Sequence, residues 1–100
     1  MIFAVTRRSG TAWLSSRPLR EQPGWPEHAA FMDALADDGF VLLAGPLGGG
    51  EFHRAMIVVE ADSEEQVQSR LEEDPWTMMD VLTTSAIEPW EVLIGHLATR

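Results

Sequence analysis

The chain contains neither cysteine nor lysine among its 100 residues. Without cysteine, disulfide bonds, thiolate metal ligands and a cysteine nucleophile are excluded. Arginine supplies all 7 basic groups against 16 acidic ones, which gives a formal net charge of −9. Because nucleic acids and anionic membrane surfaces attract clustered positive charge, neither is expected as a partner.

Long apolar runs are absent as well, since no stretch approaches the roughly 20 apolar residues that cross a bilayer. At the N-terminus the apolar run precedes the arginines, which is the reverse of a secretory signal peptide. These features predict a cytoplasmic protein. The length and a hydrophobic content of 45% predict a single globular domain over residues 1–100.

Two main helices are predicted from periodicity and capping signals. Phe31, Met32 and Leu35 recur at helical spacing, which places the first helix at residues 27–38. Ser63 begins a capping-box pattern for the second helix, and this helix ends where a proline disfavours helical backbone in the preceding residue. A short helical turn is predicted directly after that proline.

Apolar runs with β character predict four strands, at residues 2–5, 40–44, 55–59 and 85–94. The element order is then β-α-β-β-α-β, which predicts an α+β, ferredoxin-like fold with a four-stranded antiparallel sheet and two helices on one face. The second and third strands are apolar on both faces, whereas the helices cover only one. A homodimer packed sheet to sheet, or a higher homo-oligomer built from it, is therefore predicted.

Residues 9–26 form a long predicted loop that is rich in proline and precedes His28. Loops of this length in compact domains often line functional sites. We therefore expect this loop to cover a pocket beside that histidine.

His28 and Asp74 are the candidate acid–base residues. His28 lies on or beside the buried stripe of the first helix, where it is either a proton-transfer group or a core-edge histidine bonded to a backbone carbonyl. Asp74 precedes Pro75, so it is either the N-cap of the short helical turn or a carboxylate that fixes the tautomer of an imidazole.

Five further residues are candidates for binding a small-molecule substrate. Trp25 and Trp76 either wall an aromatic pocket or pack in the core. Gly45 and Pro46 allow close approach of the backbone to a ligand, although they also suit a plain hairpin connection. Arg54 either holds a carboxylate through a bidentate contact or occupies a solvated strand end.

No metal site or cofactor is predicted. The three histidines, His28, His53 and His96, show no short pair at ligand spacing. His53 is expected at a solvated strand end and His96 at an exposed position near the C-terminus.

An ordered set of motifs carries a family resemblance over nearly the whole chain. It comprises His28 early in a helix, Gly39 followed by VLLAGPL at residues 41–47, EADS at 60–63, DPW at 74–76 and IEPWEV at 87–92. In this set the sequence resembles the YCII-related proteins, which are small members of the dimeric α+β barrel superfamily.

The resemblance implies a ferredoxin-like protomer, a sheet-to-sheet dimer and a pocket between the sheet and the first helix. It also implies an acid–base pair at His28 and Asp74. At least one member of that family removes chloride from a chlorinated hydroxyquinol, which implies a lyase activity.

Two functions from different classes follow. The first is a cofactor-free enzyme of lyase or isomerase type, in which His28 moves a proton of a small cyclic or aromatic compound and Asp74 orients its imidazole. The alternative is a non-catalytic ligand-binding or accessory module that works as a dimer. An enzyme requires the two side chains to meet at a cavity, whereas a purely structural Asp74 points away from it.

Overall fold

The structure is a computed structural model that describes residues 1–48 and 53–98. Within these ranges the elements are β1 (Ile2–Ser9), α1 (Trp25–Asp37), β2 (Val41–Leu47), β3 (Arg54–Glu60), α2 (Glu64–Glu72), α3 (Pro75–Met78) and β4 (Leu82–Pro89). A short 3-10 turn, Leu19–Glu21, lies in the loop before α1. The strands form one antiparallel sheet in the order β2-β3-β1-β4, which confirms the ferredoxin-like α+β fold.

The main core lies between the sheet and the helices, on one face only. Phe3 and Val5 of β1 stand opposite Val59 and Ile57 of β3, so these four side chains share a face of the sheet. Because side chains alternate along a strand, every second residue of β1 joins this core. The helices contribute Leu35 from α1 and Val67 and Leu71 from α2.

The helix boundaries follow local chemistry. α1 begins after Gly24, whose φ of 78° lies in the left-handed region that glycine tolerates, and Pro26 occupies its first turn. α2 begins at the predicted cap, where the Ser63 hydroxyl accepts a hydrogen bond from the Gln66 N–H. In residues 1–48 and 53–98, no helix combines the length and apolar character needed to cross a membrane.

The last strand differs from its prediction. β4 spans Leu82–Pro89, whereas the sequence pattern placed it at residues 85–94. Pro89 has no N–H to continue the ladder, so pairing stops there. The N–H of Trp90 still donates to the carbonyl of Ile2, at 2.8 Å, and the chain then leaves the sheet.

The segment after β4, residues 90–98, lies on the open face of the sheet, away from α1 and α2. Val92 of this segment is buried against Ile2 and Val58, and Leu97 and Ala98 pack beside them. As a result Val58 is only 1% exposed. The chain itself thus covers part of the face that was predicted to receive a second copy, while Leu43 on β2 stays 54% exposed.

Candidate functional site

His28 and Asp74, 46 residues apart in sequence, meet between α1 and the start of α3. The Nδ1 atom of His28 lies 2.9 Å from both Oδ1 and Oδ2 of Asp74. Asp74 is fully buried and His28 is 8% exposed. When Nδ1–H donates to the carboxylate, Nε2 is left as the proton acceptor of the neutral imidazole.

Asp74 is also the N-cap of α3. Its Oδ1 atom accepts a hydrogen bond of 2.9 Å from the N–H of Trp76, and Pro75 fills the first helical position. One carboxylate therefore contacts both the N–H of Trp76 and the imidazole of His28. The cap fixes the carboxylate, and the carboxylate fixes the imidazole.

A buried arginine that the sequence analysis did not single out holds the same carboxylate. Arg7 is fully buried, and its Nη1 donates to Oδ2 of Asp74 at 2.7 Å. Its Nη2 donates to the Thr77 hydroxyl at 2.6 Å, and that hydroxyl donates to the carbonyl of Leu71 at 2.8 Å. Within the described residues, the Nε atom of Arg7 has no hydrogen-bond partner.

The pKa of Asp74 reflects opposing influences. Burial raises the pKa of this carboxyl, but the hydrogen bonds from His28, Trp76 and Arg7 and the charge of His28 lower it further than burial raises it. The pKa of Asp74 therefore lies below its ordinary value. An ionised carboxylate at neutral pH keeps the Nδ1 proton of His28 in place and leaves Nε2 free to accept one.

Two tryptophans orient the imidazole. The ring of Trp76 stacks on His28 with centroids 4.0 Å apart and an angle of 9° between the planes. Trp76 is itself fixed, because its indole N–H donates to the carbonyl of Pro23 at 2.7 Å. Trp25 lies beside both rings, and its ring centroid is 5.8 Å from that of His28 and 5.7 Å from that of Trp76. The imidazole is thus fixed by stacking as well as by hydrogen bonding.

A cavity of about 220 Å³ opens beside His28, between α1 and the sheet. Three of the predicted substrate-binding residues, Trp25, Gly45 and Pro46, line it. Trp76 is not among the described lining residues and lies behind the imidazole instead. A second, more open groove of about 380 Å³ between α2 and β4 contains none of the predicted site residues.

Arg54 is not brought to this cavity. Its neighbours Ala55 and Ile57 face the cavity, whereas Arg54 is exposed and borders a separate depression with Arg8 and Asp80. The structure therefore does not place Arg54 beside His28, and its contact with a substrate stays a prediction.

The charged side chains that line the cavity are basic, whereas the chain as a whole is acidic. Among the described lining residues the charged groups are Arg7 and Arg20, and none is acidic, although the chain carries a net charge of −9. The guanidinium carbon of Arg20 lies 5.8 Å from the ring centroid of Trp25. A second histidine, His53, also lines the cavity, contrary to the solvated position expected for it.

The loop before α1 reaches the cavity, as expected for a segment that covers it. Its 3-10 turn brings Leu19 and Arg20 to the lining. The buried side chain of Gln22 ties the loop together: its Oε1 accepts the N–H of Leu14, and its Nε2 donates to the carbonyls of Leu14 and Arg17.

No group of three His, Asp or Glu side chains in residues 1–48 and 53–98 is arranged to hold a metal ion. Comparison with curated protein sequences found no match. Among solved structures, the chain is similar to 5-chloro-2-hydroxyhydroquinone dehydrochlorinase from Burkholderia phenoliruptrix AC1100, in complex with 2,5-dihydroxybenzoquinone. The TM-score is 0.62 and the sequence identity 26%, over 92% of this chain and 95% of that one. The YCII-related domain matches residues 1–91, so the chain belongs to the YCII-related family.

Proposed function

We propose that this protein is a cofactor-free enzyme of lyase or isomerase type that acts on a small cyclic or aromatic compound. The observation that carries the proposal is the pairing of His28 with the buried carboxylate of Asp74 at the edge of an apolar cavity. Nδ1 of His28 is occupied by the carboxylate, so Nε2 is the nitrogen available to a molecule in that cavity.

The size and charge of the cavity support this class of substrate. A cavity of roughly 150 Å³ is sufficient to hold benzene, so about 220 Å³ accommodates one ring with several substituents. The positive charge of Arg20 favours a compound whose hydroxyl group becomes anionic when it loses a proton, whereas the charge of Arg7 is balanced by Asp74. The Nε–H donor of Arg7, which has no partner among the described residues, supports the same preference.

In the proposed reaction, Nε2 of His28 takes the proton of an enolic or phenolic hydroxyl. The O–H electron pair forms a carbonyl, and the ring takes a proton at carbon, which completes an isomerisation to the keto tautomer. If that carbon carries a leaving group X, a second hydroxyl then loses its proton and its O–H electron pair forms another carbonyl. The π electrons of the ring shift towards the carbon that carries X, and X leaves as an anion. The sum is loss of HX, with no oxidant or reductant consumed.

Asp74 stabilises the imidazolium that forms in this step, and Arg7 positions Asp74. The ring of the substrate packs against Trp25, Gly45 and Pro46. Trp76 holds the imidazole of His28 parallel to its own ring by stacking on it. The elimination of chloride named for the solved structural neighbour supports this reaction type.

The test uses a chlorinated hydroxyquinol and measures chloride release together with the ultraviolet spectrum of the quinone product. We expect His28→Gln to lower kcat by about 100-fold or more, and the exposed His96→Gln to serve as the matched control with unchanged kcat. If the wild-type protein binds the compound without turning it over, the proposed enzymatic function is wrong, and the alternative of a non-catalytic binding module is favoured.

We also propose a homodimer in which a second copy covers the rest of the open face. Leu43 shares this face because it pairs with Val58, and it is 54% exposed. In analytical ultracentrifugation at micromolar concentration, the wild-type protein is expected to sediment as a dimer and Leu43→Asp as a monomer. Leu14→Asp, in the loop before α1, is the control, and a monomeric wild-type protein contradicts the proposal.

A further inference from the structure

His53 lies in the same cavity as His28 but comes from the opposite layer of the fold. It directly precedes β3, whose alternate residues Ala55 and Ile57 also line the cavity. His28 enters from α1. A ligand in a cavity of about 220 Å³ therefore meets one imidazole from the helix side and one from the sheet side.

The imidazole of His53 is held in a defined orientation. It stacks on the indole of Trp13 with centroids 4.3 Å apart and an angle of 14° between the planes. Trp13 in turn meets Trp76 edge to face at 6.2 Å, so the stack is continuous with the ring that supports His28. The backbone is fixed as well, since the carbonyl of His53 accepts the N–H of Ser9 at 3.0 Å.

The neutral imidazole of His53 can act as a hydrogen-bond donor, but it is not a strong acid. Burial lowers the pKa of this imidazole, which favours the neutral form at neutral pH. His28 is paired with a carboxylate, whereas the ring of His53 makes no hydrogen bond to the other described residues. A neutral imidazole fixed in an apolar site donates its N–H to a carbonyl oxygen and stabilises negative charge there.

We propose that His53 is a second catalytic residue, which donates a hydrogen bond to the substrate oxygen that gains negative charge when His28 removes a proton. This inference rests on the proposed function. It also narrows the substrate class to one ring that has a hydroxyl group facing His28 and, in the substrate itself or in its keto tautomer, a conjugated carbonyl facing His53.

The electron movement is balanced without a further reactant. The hydroxyl proton moves to Nε2 of His28, and the O–H electron pair forms a carbonyl. The π electrons of the ring shift towards the far carbonyl, whose oxygen becomes an enolate. The N–H bond of His53 stays intact and stabilises this enolate by hydrogen bonding.

The probe for this role is 4′-hydroxyacetophenone, a phenol that stays protonated at neutral pH and whose hydroxyl is conjugated with a carbonyl across the ring. Its ring hydrogens exchange with deuterium from the solvent through the keto tautomer, and proton NMR follows this exchange. Loss of one donor to a developing oxyanion costs about 100- to 1000-fold in kcat. We expect a loss of this size in His53→Phe, which keeps the aromatic stack on Trp13, with KM nearly unchanged.

Three variants separate hydrogen bonding from packing. His53→Gln keeps an N–H donor and is expected to retain much more exchange activity than His53→Phe, while the exposed His96→Phe is the control with unchanged rate. If His53→Phe does not fold, His53→Leu, which also lacks a donor, replaces it. Equal losses in the Gln and Phe variants, or wild-type exchange in His53→Phe, overturn the role of His53.

The two proposals fail in distinguishable ways. If His28→Gln abolishes exchange while His53→Phe exchanges like the wild-type protein, the proposed function stands and the inference about His53 is wrong. If the wild-type protein does not accelerate exchange at all, the proposed function fails, and the inference that rests on it fails too.

Discussion

The buried carboxylate of Asp74 offers the most decisive test of the site's energetics. Asp74→Asn keeps the shape of the side chain and an oxygen for the Trp76 N–H, but it removes the negative charge opposite Arg7. Removing one partner of a buried ion pair costs about 3–5 kcal/mol, because the other charge stays buried without compensation. Since the amide oxygen still accepts hydrogen bonds, we expect the lower end of this range, about 3 kcal/mol near pH 7.

This loss should depend on pH with a defined sign. The pKa of Asp74 is lower in the folded than in the unfolded chain, so its ionised form favours folding. The stabilisation is complete above the ordinary pKa range of a carboxyl and disappears as pH falls through the lowered folded pKa. The difference in unfolding free energy between the wild-type protein and Asp74→Asn is therefore largest at neutral pH and shrinks in acid.

Urea denaturation of both proteins between about pH 7 and pH 3 measures this difference, because their other titrating groups are shared. Asp33→Asn, on the exposed side of α1, is the matched control and is expected to change the unfolding free energy by less than about 0.5 kcal/mol. A deficit below about 1 kcal/mol at neutral pH, or one that does not change in acid, refutes the reasoning.

Three further changes test the fold. Ser63→Ala should lower the unfolding free energy by about 1 kcal/mol through loss of the α2 cap, with Ser69→Ala as control; urea denaturation checks both. Gly10→Ala places a Cβ in steric conflict with the carbonyl oxygen of Asp80, so we expect the unfolding free energy to fall by about 1–3 kcal/mol; unchanged stability contradicts this contact. Val58→Asp buries a charge at a site that is 1% exposed, and thermal unfolding should show a loss of more than about 3 kcal/mol.

The order of elements was predictable from the sequence because apolar period and capping signals agree along most of the chain. β1 extends beyond its predicted end at residue 5, but β4 departs further from its prediction, and two local causes explain that departure. Thr83 and Thr84 carry no apolar alternation, so the first half of the strand has no hydrophobic signal. In the alternation of Trp90, Val92 and Ile94, Val92 packs on the open face, whereas Ile94 is 84% exposed, so the alternation does not mark a strand.

The site was only partly predictable. His28 and Asp74 were identified, but their contact spans 46 residues and no local pattern specifies it. Arg7 was missed because an arginine after an apolar run usually marks the end of a strand. Its position in the alternation with Phe3 and Val5 was the available signal, since that spacing places it on the core face.

The position of His53 could not be read from sequence because a strand end is solvated in most sheets. Here Trp13 from the long loop folds over it, so burial depends on a contact between distant segments. The position of Arg54 depends on the register of β3. Successive side chains of a strand point to opposite faces of the sheet, so Arg54 lies on the open face while its neighbour Ala55 lies on the cavity face.

The clustering of indoles has an optical consequence. Trp13, Trp25 and Trp76 belong to one group of touching rings around His28, whereas the fourth tryptophan, Trp90, lies beyond the end of β4 and is 45% exposed. In a Trp90→Phe background, all indole emission therefore arises beside the cavity. Because Trp25 lines that cavity, a molecule that displaces water from the cavity changes the wavelength and intensity of this emission. The protein thus carries its own fluorescent reporter, and ligands can be screened without a label or a known reaction.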